Sequence, residues 1–191
     1  MSSTSTQRRY PPGDLAIWIF ILAELSVFAI FFSAYAFTRM NNVELFNQYQ
    51  QTLDTTAALF NTITLITSSY FVVRAVAAIR EGDTRLCERW IWAAIAMGVL
   101  FIIIKSTEYA HHFGMGINLS TNTFYMFYIS LTFFHYMHVL LGMVILAAVA
   151  VKTRQGAYSA DEHTGVETGG SYWHMVDLVW LVLFPLVYVM R

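Results

Sequence analysis

Five long apolar runs separated by polar segments decide what this chain can become. From the residues they span 15–37, 57–79, 90–113, 124–151 and 171–190. A bilayer core needs roughly 20 apolar residues at about 1.5 Å of rise each, and each run meets that length. The fourth, at 28 residues, has to tilt or protrude. The expected fold is therefore all-α: a polytopic bundle of five transmembrane helices, one membrane domain over 14–191 behind a solvated tail at 1–13. Composition agrees. Hydrophobic residues make up 57% and charged residues 12%, where a soluble domain carries roughly a quarter charged. The first run is 23 residues long, beyond the roughly 7–15 of a signal-peptide core, so it reads as a retained span.

Other classes fall away on the same grounds. A net charge of −1 leaves no basic footprint for nucleic acid. The single cysteine, Cys87, excludes an internal disulfide framework and a Cys-rich metal site; its surroundings at 82–89 read as a polar turn. The segments 38–56 and 152–170 read as polar connections, the second acidic and Gly-rich. Cations gather in the tail, in 80–89 and after Lys152. By the positive-inside rule the N-terminus is cytoplasmic and the C-terminus periplasmic.

Ionisable residues inside the runs are the anomalies, because a charge at bilayer depth needs a partner. Glu24 lies roughly 15 Å into the first span at 1.5 Å per residue, close to the midplane. Lys105, His135 and His138 fall at similar heights, with Glu108 one turn above Lys105. Glu24, Lys105, His135 and His138 are therefore expected to form one central polar layer. His174 and Asp177 lie lower, three residues apart on one side of a helix, and are expected to pair with each other or with a lower partner. Glu24 admits two readings: a proton-active group, or a hydrogen-bonded residue fixing helix to helix. The second run is rich in Asn, Thr and Ser, as befits a helix packed on both sides.

His135 and His138 stand at i, i+3, and Glu108 to His111 forms an E-x-x-H. A carboxylate-bridged di-iron bundle would need two such motifs and two further glutamates at one depth; this chain has one, toward a helix end. The histidines read as hydrogen-bonded core, with no catalytic residue and no metal expected. Two other classes compete: a stand-alone membrane metalloenzyme using His135, His138, Glu108 and His111, and a small proton carrier using Glu24. Repeats or broken helices, which a carrier typically shows, are not evident.

Four stretches together resemble a known family. They are YWHMVDLVW at 172–180, FHYMHVLLG at 134–142, Glu108–Tyr109, and Trp18 with Glu24 ahead of Phe31–Phe32. The chain is similar, from Gly13 to Arg191, to subunit III of haem-copper cytochrome c oxidases. Tyr136 stands where the family usually has glycine. The short five-helix form, without the first two helices of longer members, looks most like the subunit-III-like proteins of nitric oxide reductase operons, with short bacterial oxidase subunits III close behind. The resemblance implies an accessory subunit with no cofactor of its own. Haem and copper or iron sit in the partner, catalytic subunit I, with subunit II. It also implies a bacterial inner-membrane location, contact with membrane lipid, support of proton uptake, and bound phospholipid in a cleft that the two missing helices leave absent or incomplete. Glu24 matches the family's buried helix-1 glutamate; Glu108, His135, His138, His174 and Asp177 match its inter-helix polar contacts.

Overall fold

A computed structural model describes residues 13–190; the tail at 1–12 and Arg191 lie outside the described residues. Among those residues the secondary structure is helical throughout: α1 Leu15–Met40, α2 Val43–Gln50, α3 Thr55–Arg80, α4 Thr84–Gly114, α5 Thr123–Arg154 and α6 Thr164–Phe184, with a π-helical turn at Pro185–Val189. Five of these helices are long and apolar enough to cross a membrane, the last including the π turn. Their starts are set by short polar side chains. Asp14, Asp54, Asp83 and Asn122 each accept a hydrogen bond from a backbone N–H of the first turn, satisfying a donor the helix leaves free. Gly82, at φ +84°, takes the left-handed position just past α3, and α4 begins two residues later. Cys87 is thus not in a polar turn: it lies in the first turn of α4 and is fully buried.

Two other segments depart from the sequence expectation. Within 38–56 the chain forms the eight-residue helix α2. Its Phe46 is wholly buried against Tyr35 and Phe124, and that contact stabilises a helix too short to persist alone. α6 begins at Thr164, seven residues before the expected start of the last span. The Gly-rich stretch is a packing surface: a Cβ on Gly169 would sit 3.1 Å from Val149, and one on Gly170 3.2 Å from Val72. Small residues there let α5 and α3 approach α6 closely. Glu167, on the first turns of α6, accepts from Arg80 at 2.6 Å and from the Gly13 N–H at 3.2 Å, tying the start of α1 to α3 and α6.

α3 packs along α4 and also touches α6, while α5 bridges α4 and α6. Hydroxyls on α3 bond both neighbours: Ser68 donates to the Ala94 carbonyl at 2.8 Å, and Thr62 accepts from the Trp180 indole at 2.9 Å. α1 lies against α6 and buries only Ile21, Phe28 and Tyr35, one residue in every seven. The Trp173 ring is held between Gly98 of α4 and Gly142 of α5; a Cβ on Gly142 would come within 2.8 Å of it. Gly142→Val should overpack this slot and destabilise the protein by about 1–3 kcal/mol. Thermal melting in detergent measures the effect, and an unchanged melting temperature would contradict the slot.

Candidate functional site

The main polar cluster begins with an i, i+3 pair on α4. Lys105 and Glu108 share a face, with Lys105 fully buried and its ammonium 2.9 Å from Glu108 Oε2. Tyr128, on the second turn of α5, and Tyr188, on the π turn, complete the cluster. The Lys105 ammonium donates to the Tyr188 hydroxyl at 2.5 Å and the Tyr128 hydroxyl at 3.2 Å. Both hydroxyls donate onward to Glu108 Oε1, Tyr188 at 3.0 Å and Tyr128 closer still. The rings of Tyr128, Tyr109, Tyr188 and Trp180 lie 4.9, 5.1, 5.2 and 5.9 Å from the ammonium, so their faces supplement the carboxylate. Pro185 has no N–H to return to the preceding turn. The chain widens there into a π turn, which presents Tyr188 to Lys105. Beside the cluster a recess of about 300 Å³, lined by Thr52, Asp54, Thr107, Glu108, His111 and His112, gives Glu108 its opening to the exterior.

A second pair joins α1 to α5. Glu24 Oε2 lies 3.1 Å from His138 Nε2, and His138 Nδ1 lies 2.8 Å from the Phe134 carbonyl. A carbonyl only accepts, so Nδ1 carries a proton. The Nε2–Oε2 contact must then hold one further proton, on the imidazole or on the carboxyl. The pair is a neutral unit with a single transferable proton, and Phe28 and Phe134 pack edge-on against the imidazole.

The expected single layer is therefore two separate pairs. His135 belongs to neither: it is fully buried and packs on Trp180 and Phe101, and among the described residues neither ring nitrogen has a hydrogen-bond partner. Three residues along a helix turn the side chain by about 60° from its starting direction, enough to send His138 to α1 and His135 to α4 and α6. His174 bonds Ser69 at 2.5 Å, and the same hydroxyl faces the Asp177 carboxylate. The two meet through α3 rather than directly. In the E-x-x-H, Glu108 turns inward to Lys105 while His111 is exposed. Among the described residues no three His, Cys, Asp or Glu side chains are grouped to hold a metal ion. Sequence reasoning missed Tyr128, Tyr188 and Ser69. Tyrosines near helix ends look like ordinary interfacial residues, and a serine in a hydroxyl-rich helix gives no separate signal.

Comparison with known proteins follows the same lines. The family described as cytochrome c oxidase subunit III matches residues 13–191. Cytochrome c oxidase subunit 3 of Synechocystis sp. is 36% identical over 98% of this chain and 85% of its own length. The protein of the same name from Thermostichus vulcanus is 32% identical, over 92% and 86%. Heme-copper oxidase subunit I+III of Aeropyrum pernix is 28% identical over 91% of this chain and 22% of its own. With its family match running from Gly13 to the last residue, the chain belongs to the cytochrome c oxidase subunit III family.

Proposed function

We propose that this chain is the non-catalytic accessory subunit of a bacterial haem-copper oxidase, seated against catalytic subunit I beside subunit II. Family and five apolar helices make it a multi-pass protein of the bacterial plasma membrane. The observation that carries the reading is that Glu24, Lys105 and Glu108 find their partners within the chain. Lys105 is matched by Glu108 and two tyrosines, and Glu24 by His138, arrangements suited to holding a bundle together. Haem and copper then belong to the partner polypeptide. The Aeropyrum relative, named as subunits I and III in one chain, supports a subunit I neighbour. An oxygen-reducing partner is favoured over one that reduces nitric oxide, because relatives named as cytochrome c oxidase subunits are covered over 85% and 86% of their length. The short form therefore does not single out nitric oxide reductase. The cationic ends at 80–89 and Lys152 face the cytoplasm, and membrane lipid covers the outward apolar faces.

Purification of the tagged chain from its native membrane tests the reading. A haem-containing polypeptide should accompany it, the complex should consume oxygen, and the separated chain should show no Soret band. Stoichiometric iron or copper in the separated chain, lost in His138→Ala, would establish the metalloenzyme instead. Proton flux in liposomes abolished by Glu24→Gln would establish the carrier, and a partner consuming only nitric oxide would reassign the complex. Within the assembled complex the single proton of the Glu24–His138 pair supports proton uptake. Glu24→Gln keeps a donor for His138 Nε2 but loses the acid. Assembly should survive, and activity should decay over fewer turnovers than in the wild type. Failure to assemble would make Glu24 scaffold alone.

A further inference from the structure

Three arginines converge on one recess at the end of the bundle that carries the α3–α4 turn. It measures about 690 Å³ and is lined by Arg85, Glu88, Arg89 and Trp92 of α4 and by Thr153 and Arg154 of α5. Arg85 and Arg89 are one helical turn apart and share a face; Arg154 arrives from the opposite helix. The chain engages its other described arginines. Arg39 bonds Asn47, Arg80 pairs with Glu167, and Arg74 lies over the Trp90 ring. Arg85, Arg89 and Arg154 have no carboxylate within ion-pair distance among the described residues. Glu88, the one acid among the described lining residues, leaves them with two positive charges in excess. Thr153 is already committed, donating to the Val149 carbonyl at 2.8 Å.

Guanidinium groups offer planar forks of N–H donors that match the oxygens of a phosphate, and two helices bring three of them to one opening. The volume lies within the roughly 300–1,000 Å³ of small-molecule sites. Trp92 is 44% exposed and stands two turns into a membrane helix, where an amphipathic ring meets the lipid interface. We propose that the α4–α5 recess is a binding site for a phosphate group, held by Arg85, Arg89 and Arg154 beside Trp92. Two sources carry this chemistry at a membrane surface: the headgroup of an anionic phospholipid and free phosphate. Among the described residues the recess is built by α4 and α5, and phosphate binding there does not depend on which catalytic partner the chain serves.

The test uses the full chain in nanodiscs of phosphatidylcholine containing a minor fraction of phosphatidylglycerol. Native mass spectrometry after release should find phosphatidylglycerol retained at least fivefold more by the wild type than by Arg85→Gln/Arg89→Gln/Arg154→Gln. Arg74→Gln, which removes a cation elsewhere, should match the wild type. In a parallel arm, inorganic phosphate is titrated against tryptophan fluorescence, with Trp92→Phe identifying the responding ring. Lipid retention without a phosphate response makes the headgroup the source. A saturable phosphate response lost in the triple variant makes it free phosphate. Equal retention by the wild type and triple variant, together with no phosphate response, overturns the site. Should the triple variant fold poorly, Arg89→Gln alone is expected to lower lipid retention about threefold or to weaken the phosphate response, and unchanged retention together with an unaltered phosphate titration would overturn the proposal equally.

Discussion

Lys105→Met should destabilise the bundle by about 3 kcal/mol. Removing one partner of a buried ion pair costs about 3–5 kcal/mol, because the remaining charge is stranded. Polar partners recruited within the unfolded, lipid-embedded chain hold the value to the lower end. Glu108 would keep the Tyr128 and Tyr188 hydroxyls but lose the cation that balances it. Adding Glu108→Leu to Lys105→Met removes the stranded carboxylate, and the double variant should recover much of the lost stability. Unfolding in mixed micelles measures both variants. A loss below about 1 kcal/mol for the single change would be too small for a buried charge left alone and would mean that the pair is solvated.

Trp180→Ala should lower stability by about 3 kcal/mol, near the low end for aromatic truncation in a core. The unfolded side chain stays in lipid rather than water, so the transfer contribution is small and the lost packing carries the effect. The Trp180 ring is fully buried, with Phe101 edge-on at 5.0 Å and His135 at 5.1 Å, and its indole N–H bonds Thr62. Trp180→Phe should cost less, since it retains part of the ring and leaves the Thr62 hydroxyl bonded to its own helix at Ala58. Equal losses for the two variants would show that the hydrogen bond, not the ring, holds α6 to α3.

The spans were legible because an apolar run of bilayer length admits few alternatives, and Glu24, Lys105 and Glu108 stood out because charges are costly there. Which partner each would choose was not legible. Depth along an axis follows from counting residues, but the direction a side chain faces depends on how each helix is rotated by its packing. Hence His135 and His138, less than one helical turn apart by counting, serve different neighbours. The stretch Thr164–Gly170 misled for another reason. Glycine marks a turn or a close helix contact with the same letter, and only the nearness of Val72 and Val149 decides between them.

The Glu24–His138 contact also orders events during biosynthesis. Its partners are separated by 114 residues, so at about 5–20 residues per second the ribosome needs roughly 6–23 s to deliver the second after the first. For most of that interval α1, the most apolar of the five spans, is complete while the imidazole that pairs with its acid has yet to be made. Crosslinks from position 24 to the insertion machinery should persist in nascent chains stalled before the imidazole emerges, and disappear once it has.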